Sequence, residues 1–343
     1  MIKYLFLFSI LFIPLAHSME RITLNYGGEA RSYLIYIPDV KKDSYDLMIG
    51  LHGYSGSATG FEKETTVGFN LYAEEQGINE VYPQGSYFYQ SIESGSNEMN
   101  PGISEYYVSS WNHLTSLYEL NQDIKICDDN ADLSPIYSNC SNQDACHWTS
   151  CSDDLGFIKD IVIHMKNTFS INKTYVMGLS NGGMMAQMAG CKYPDLFDGV
   201  LNVVGMHPLG LSCTPEKPTN LVIYGGMLDK STPPVNITSS GGYFYEPILL
   251  TASSWSSKFN CKDKKSTSID TIFQTKETVF YNCDNNVTIT AILNLNSGHS
   301  WPGLSPGEGY CRSDLQSDII YPECRDINKI NGSKYLLDRL FSY

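Results

Sequence analysis

Charge is scarce in this chain, and positive charge scarcer still: 17% of the 343 residues are charged, with 23 basic side chains against 37 acidic ones. The formal net charge of -14 repels phosphate backbones and anionic membrane surfaces at long range, so no nucleic acid partner is expected. Beyond the first residues no uncharged apolar stretch reaches the roughly 18 residues a membrane-spanning helix needs, which argues against stable membrane insertion. Repeats of about 20 to 50 residues and low-complexity tracts are also missing, so one domain with insertions is the simplest division. What the chain does have is apolar material, 42% of its side chains with 12% aromatic, enough for one sizeable core.

The start of the chain carries a targeting pattern. Lys3 precedes an uncharged apolar run from Tyr4 to Leu15, and Ala16-His17-Ser18 then offers small residues at cleavage-site positions. Residues 1–18 are read as a signal peptide and 19–343 as a single mature domain. Ten cysteines fit an oxidising compartment better than a reducing cytosol. Together these features describe a secreted protein, extracellular or periplasmic.

Short β-rich runs alternate with longer helical patterns, the signature of a mostly parallel sheet with crossover helices and hence of an α/β fold. Strands are expected at Tyr33 to Ile37, Asp46 to Leu51, Asn79 to Tyr82, Thr174 to Met177, Gly199 to Val204, Leu221 to Tyr224 and Val287 to Leu295. Leu155, Ile158, Ile161, Val162, Met165 and Phe169 recur every three or four residues and predict a helix over Asp154 to Thr168. Further helices are expected at about Asn181 to Lys192, Tyr245 to Lys258 and Tyr335 to Phe341. Residues 86–153, with four cysteines and no clear period, read as an irregular, disulfide-stapled insertion, and Gly303 to Asn331 as a second irregular stretch.

The sharpest chemical signal is Gly178-Leu179-Ser180-Asn181-Gly182, a G-x-S-x-G between a β-run and a helical pattern. Glycines at those positions let strand and helix approach, presenting the serine hydroxyl on a strained turn above the sheet. An unassisted serine is a weak nucleophile, so Ser180 needs a base and an orienting carboxylate, expected downstream in the order Ser, Asp, His. Asp229 follows the strand Leu221 to Tyr224, and His299 follows Val287 to Leu295. His52, His113, His147, His164 and His207 all precede Asp229, which breaks that order. His164 reads as structural, His207 as a possible wall of the site, and Asp195 and Asp198 as turn residues. A tetrahedral intermediate also needs backbone N–H donors, each worth roughly a factor of 100 to 1,000 in rate. Asn181 supplies the first, and Tyr54, after the Leu51-His52-Gly53 strand end, the second, with His52 bracing that turn. Asp128, Asp129, Asn130 and Asp132 lack the glycine and terminal glutamate of a calcium loop, and Cys146-His147 near Cys151 suits disulfides better than zinc. No metal or cofactor is expected.

Seven motifs, in order across about 50–303, carry a family resemblance: LHGYSGSATGF at 51–61, SSWN at 109–112, DDLGFI at 153–158, GLSNGGMMA at 178–186, YPDLFDGV at 193–200, GGMLDKSTPP at 225–234 and GHSWPG at 298–303. In these the chain resembles the secreted poly(3-hydroxybutyrate) depolymerase and feruloyl esterase family of α/β-hydrolases. The resemblance implies Ser180 as nucleophile, Asp229 and His299 as its relay, and Trp111 and Trp301 near the substrate. It further implies a serine esterase acting on small or polymeric esters, polyester or hydroxyalkanoate oligomers first, with feruloyl or acetylxylan esters as the alternative. A secreted serine peptidase and a non-catalytic hydrolase-fold binding protein are the readings from other classes. Asn181 departs from the alanine common in that family. The pairs Cys191–Cys213 and Cys261–Cys283 are implied by the resemblance too, and proximity in sequence favours Cys311 with Cys324. Cys127, Cys140, Cys146 and Cys151 keep three possible connectivities.

Overall fold

A computed structural model of the protein describes residues 19–64, 69–91, 96–97, 100–101, 105–113, 125–132, 139–140, 146–303 and 332–342. The expected signal-peptide segment 1–18, the expected pair Cys311 with Cys324 and residues 304–331, expected from sequence to be irregular, lie outside the described residues. The first half contains β1 (Glu20–Tyr26), β2 (Glu29–Tyr36), β3 (Tyr45–Leu51), α1 (Ala58–Glu62), α2 (Phe69–Gln76) and β4 (Ile78–Pro83). Four short strands follow, β5 (Ser86–Ser91), β6 (Ser96–Asn97), β7 (Asn100–Pro101) and β8 (Glu105–Ser110). Then come α3 (Asp154–Thr168), β9 (Ile171–Leu179), α4 (Asn181–Lys192), β10 (Gly199–Val203) and β11 (Asn220–Gly226). The last elements are α5 (Ile248–Lys258), β12 (Asp263–Ser266), β13 (Thr275–Tyr281), β14 (Ile289–Asn294) and α6 (Gly332–Phe341).

One 10-stranded sheet organises the molecule in the order β1-β2-β4-β3-β9-β10-β11-β14-β13-β12. Its centre, from β4 through β14, is parallel, and antiparallel strands complete both edges. Parallel strands covered on both faces favour apolar residues at successive positions, which is why Tyr175–Leu179 of β9 and Leu221–Gly226 of β11 read as near-continuous apolar runs. Successive side chains alternate between two cores. Val176, Val200, Leu221 and Ile289 face α3, α4 and α5, while Met177, Leu201, Val222 and Ile292 face α1, α2 and α6.

The helix over 154–168 has the expected bounds because its apolar stripe is bracketed by real stop signals. The Asp153 carboxylate accepts from Gly156 N at 2.9 Å, capping the first turn. Leu155, Ile158, Ile161, Val162 and Met165 are all buried. Several elements escape the sequence reading for the opposite reason. β12 is Asp-Lys-Lys-Ser with every residue exposed, and β1 alternates exposed and half-buried positions, so both are edge strands carrying charge instead of a core signature. Among the described residues of 86–153, β5 and β8 form an antiparallel pair joining Ser86 to Ser110, regular structure that the sequence does not predict. The strand expected from Val287 begins at Ile289, after a turn in which Asn285 and Asn286 adopt φ of 53° and 57°.

Disulfides join Cys127 to Cys146, Cys140 to Cys151, Cys191 to Cys213 and Cys261 to Cys283. The bonds fit an oxidising compartment. Among the described residues no helix is long and apolar enough to cross a membrane.

Candidate active site

β9 ends at Leu179 and α4 begins at Asn181, so Ser180 alone makes the connection. Its φ of 56° and ψ of -121° are strained for a residue bearing a β-carbon. The strain is held by backbone bonds: Ser180 N donates to Val203 O at 2.8 Å, and Met184 N donates to Ser180 O at 2.9 Å. Glycine is required on both sides. A β-carbon on Gly178 would lie 2.2 Å from Gly182 O, and one on Gly182 would lie 2.2 Å from Leu51 O. The first turn of α4 therefore lies directly on the ends of β9 and β3, and Ser180 stands half-buried at the carboxyl rim of the sheet.

Asp229 and His299 reach the same rim from β11 and β14, which are adjacent strands. His299 Nδ1 lies 2.8 Å from Asp229 Oδ2. The other carboxylate oxygen accepts from Ser231 N at 2.8 Å and Thr232 N at 3.0 Å. Burial by itself would raise the Asp229 pKa, but the His299 charge and these donors outweigh it, so the carboxyl is held below its usual value. An ionised carboxylate on Nδ1 keeps the proton there and leaves Nε2 as the basic nitrogen. Thr232, which the sequence reading did not single out, stitches the site together. Its hydroxyl lies 2.6 Å from Val204 O, 3.1 Å from Asp229 Oδ2 and 3.3 Å from His299 Nδ1. Val204 has a φ of 43°, rare for a β-branched residue, and it occupies the step between the Ser180 and Asp229 loops. A threonine three residues after a strand-end aspartate is the signal that could have identified this support.

The loop after β3 lies against the Ser180 turn, where a β-carbon on Gly53 would sit 3.7 Å from Ser180 Cβ. His52 is 1% exposed and braces this loop as expected. Gly85 N donates to His52 Nε2 at 3.0 Å, so Nδ1 carries the proton and donates to Gly53 O at 2.8 Å. Burial lowers its pKa to about 4, so the ring stays neutral. Tyr54 is half-buried on the same loop, its ring 5.8 Å from that of Trp148.

Asn181 is fully buried, and its side chain is saturated: Oδ1 accepts from Trp111 N at 2.7 Å, while Nδ2 donates to Trp111 O at 3.0 Å and to His113 Nδ1 at 3.0 Å. Trp111 is 0% exposed and Trp301 2%. Trp301 packs on Phe61 and Phe69 at ring separations of 6.5 Å and 5.5 Å. His113 and His207 are buried neighbours, 5.9 Å apart. Burial lowers the His207 pKa to about 4 and that of His113 well below the usual value. His164 is an exposed residue of α3, and Asp195 and Asp198 pair with Lys217 and the Thr174 amide. Cys140, His147 and Cys151 have ligand atoms within 4.8 Å of one another, but the two sulfurs are joined in a disulfide and no thiolates remain to hold zinc.

No protein-family model and no curated protein matches this chain. Solved structures do resemble it. Acetyl xylan esterase from Aspergillus awamori superposes with a TM-score of 0.51 at 14% identity, covering 82% of this chain and 95% of that one. Native pOPH gives a TM-score of 0.46 at 12% identity over 85% and 84% of the two chains. A predicted CIB-like hydrolase from Thermoplasma acidophilum gives 0.39 at 16% identity over 82% and 89%. The fold is of the α/β-hydrolase type, a mostly parallel sheet flanked by helices.

Proposed function

We infer that the protein is a serine esterase that cleaves carboxylic esters through an acyl-enzyme. The observation that carries this reading is the 2.8 Å contact between His299 Nδ1 and Asp229 Oδ2 on the same sheet rim as a serine held in a strained strand-to-helix turn. In this reaction Ser180 Oγ attacks the ester carbonyl while His299 Nε2 takes its proton. The resulting oxyanion is met by the backbone N–H groups of Asn181 and Tyr54. Collapse expels the alcohol, protonated by His299, and water then releases the acid by the same steps in reverse roles. Asp229 orients the imidazole and stabilises its charged form. The leader-like segment before Met19 and the four disulfides support a secreted protein.

Polyester or hydroxyalkanoate oligomers are the first substrate class, on the strength of the motif resemblance. Feruloyl or acetylated polysaccharide esters are the second, favoured by the fold likeness to an acetyl xylan esterase. Side-by-side turnover of 3-hydroxybutyrate oligomers, feruloyl and acetylated sugars and short p-nitrophenyl esters separates them. Ser180→Ala should abolish all ester turnover while leaving the melting temperature unchanged, and wild-type rates in that variant would overturn the reading. Preference for peptide amides over esters would mark a peptidase, and absence of fluorophosphonate labelling at Ser180 a binding protein.

A further inference from the structure

The two N–H groups assigned to the oxyanion come from segments far apart in the chain, and their spacing has to be held to a fraction of an ångström for either to act. One fully buried residue touches the support of both, with its backbone on one side and its side chain on the other. Trp111 gives its backbone N–H to Asn181 Oδ1 at 2.7 Å and receives Asn181 Nδ2 on its carbonyl at 3.0 Å, a two-point grip on the residue that follows the nucleophile. Its indole Nε1 donates to His52 O at 2.8 Å, and its ring lies 4.9 Å from the His52 ring. His52 Nδ1 in turn binds Gly53 O at 2.8 Å, the carbonyl of the peptide whose N–H belongs to Tyr54. Because that peptide is planar and trans, fixing its carbonyl fixes the direction of its N–H. The strap bearing Trp111 is itself anchored, since Asn112 N donates to Asp154 Oδ2 at 2.7 Å and Asp154 pairs with Arg31 at 2.7 Å.

We propose that Trp111 and the Asn181 side chain form a clamp that sets the separation of the two oxyanion donors, making Trp111 a positioning residue of the reaction. At 0% exposure the indole offers no surface on which a substrate could stack, whereas every polar atom of the residue is engaged with the donor-bearing segments. Asparagine at 181 is what gives the clamp its grip, because an alanine there would leave both Trp111 backbone groups without these partners. The clamp rests on the esterase reading given above.

Trp111→Phe deletes the indole N–H and keeps a ring in place. With a short p-nitrophenyl ester, kcat should fall about 10- to 100-fold with KM within a factor of two, the size expected when a donor is displaced by about an ångström. Affinity for a trifluoromethyl ketone, which forms a tetrahedral oxyanion on Ser180, should fall by the same factor, while inhibition by the carboxylic acid product should not change. A purely structural role would lower the melting temperature without that parallel. If Trp111→Phe does not melt cooperatively, β-(3-benzothienyl)alanine at position 111 removes only the N–H at constant ring size and must give the same result. A folded variant with unchanged kcat, or with reduced kcat and undiminished ketone affinity, overturns the clamp alone. Wild-type protein that neither hydrolyses esters nor labels at Ser180 overturns the esterase reading and the clamp with it.

Discussion

Replacing Asp229 by asparagine changes one oxygen to an amide nitrogen, and the surroundings dictate which one. Ser231 N and Thr232 N both donate to Asp229 Oδ1, at 2.8 and 3.0 Å. Two N–H donors reject an NH2 group, so the variant's carbonyl oxygen must face them and its NH2 must face His299. His299 Nδ1, 2.8 Å from that position, then has to be the acceptor, and the ring proton moves to Nε2. In the proposed reaction Nε2 is the nitrogen that takes the Ser180 proton, so the base is lost although every heavy atom stays in place. The expected fall in kcat on a short p-nitrophenyl ester is roughly 10,000-fold, equivalent to about 5.5 kcal/mol of barrier. KM and the denaturation midpoint should move little, because size and most hydrogen bonds are kept. A folded Asp229→Asn enzyme within tenfold of wild-type kcat would refute this chain of reasoning at its first step, the role of the carboxylate.

Other consequences concern stability. His207 has its pKa lowered to about 4 by burial, against an ordinary 6.5, so its contribution is present above pH 6.5 and is lost as pH falls toward 4. The stability difference between wild type and His207→Gln should therefore shrink by about 2 kcal/mol from pH 7 to pH 5 in urea melts; parallel curves would contradict it. Glu80 behaves in the opposite sense, because burial raises its pKa to about 8. Its contribution is complete below 4.5 and lost as pH rises through 8, so the gap between wild type and Glu80→Gln should narrow between pH 6 and 9, and a gap that widens would be inconsistent with a buried neutral acid. Arg31→Met should cost about 3 to 5 kcal/mol, since it leaves the fully buried Asp154 carboxylate without its 2.7 Å partner, and a loss under 1 kcal/mol in chemical denaturation would show the pair to be dispensable.

The sequence was legible where one physical signal dominates. Helices 154–168 and 181–192 have the expected bounds because an aspartate cap and a glycine-flanked turn mark their starts, and the central strands are located, though not bounded to the residue, because burial on both faces favours apolar runs. Edge strands such as Asp263–Ser266, all exposed, carry no such run. The chain order of Ser180, Asp229 and His299 could be read because each follows a strand, and parallel strands bring their following loops to one rim. Pairing among Cys127, Cys140, Cys146 and Cys151 needed the folded chain, since local spacing does not distinguish the connectivities. Thr232 and the bonds between Trp111 and Asn181 were hidden for a related reason. Their partners lie on other elements, and only the packed sheet shows that the tryptophan picked out by its motif is buried between the β3 loop and the first turn of α4.

Mass spectrometry of the protein after reaction with a fluorophosphonate tests the central claim most directly. Wild-type protein should gain a single adduct, on the peptide containing Ser180, and His299→Ala should slow its formation by several orders of magnitude. An unmodified wild-type protein, an adduct on another serine, or a rate indifferent to His299 would contradict the account.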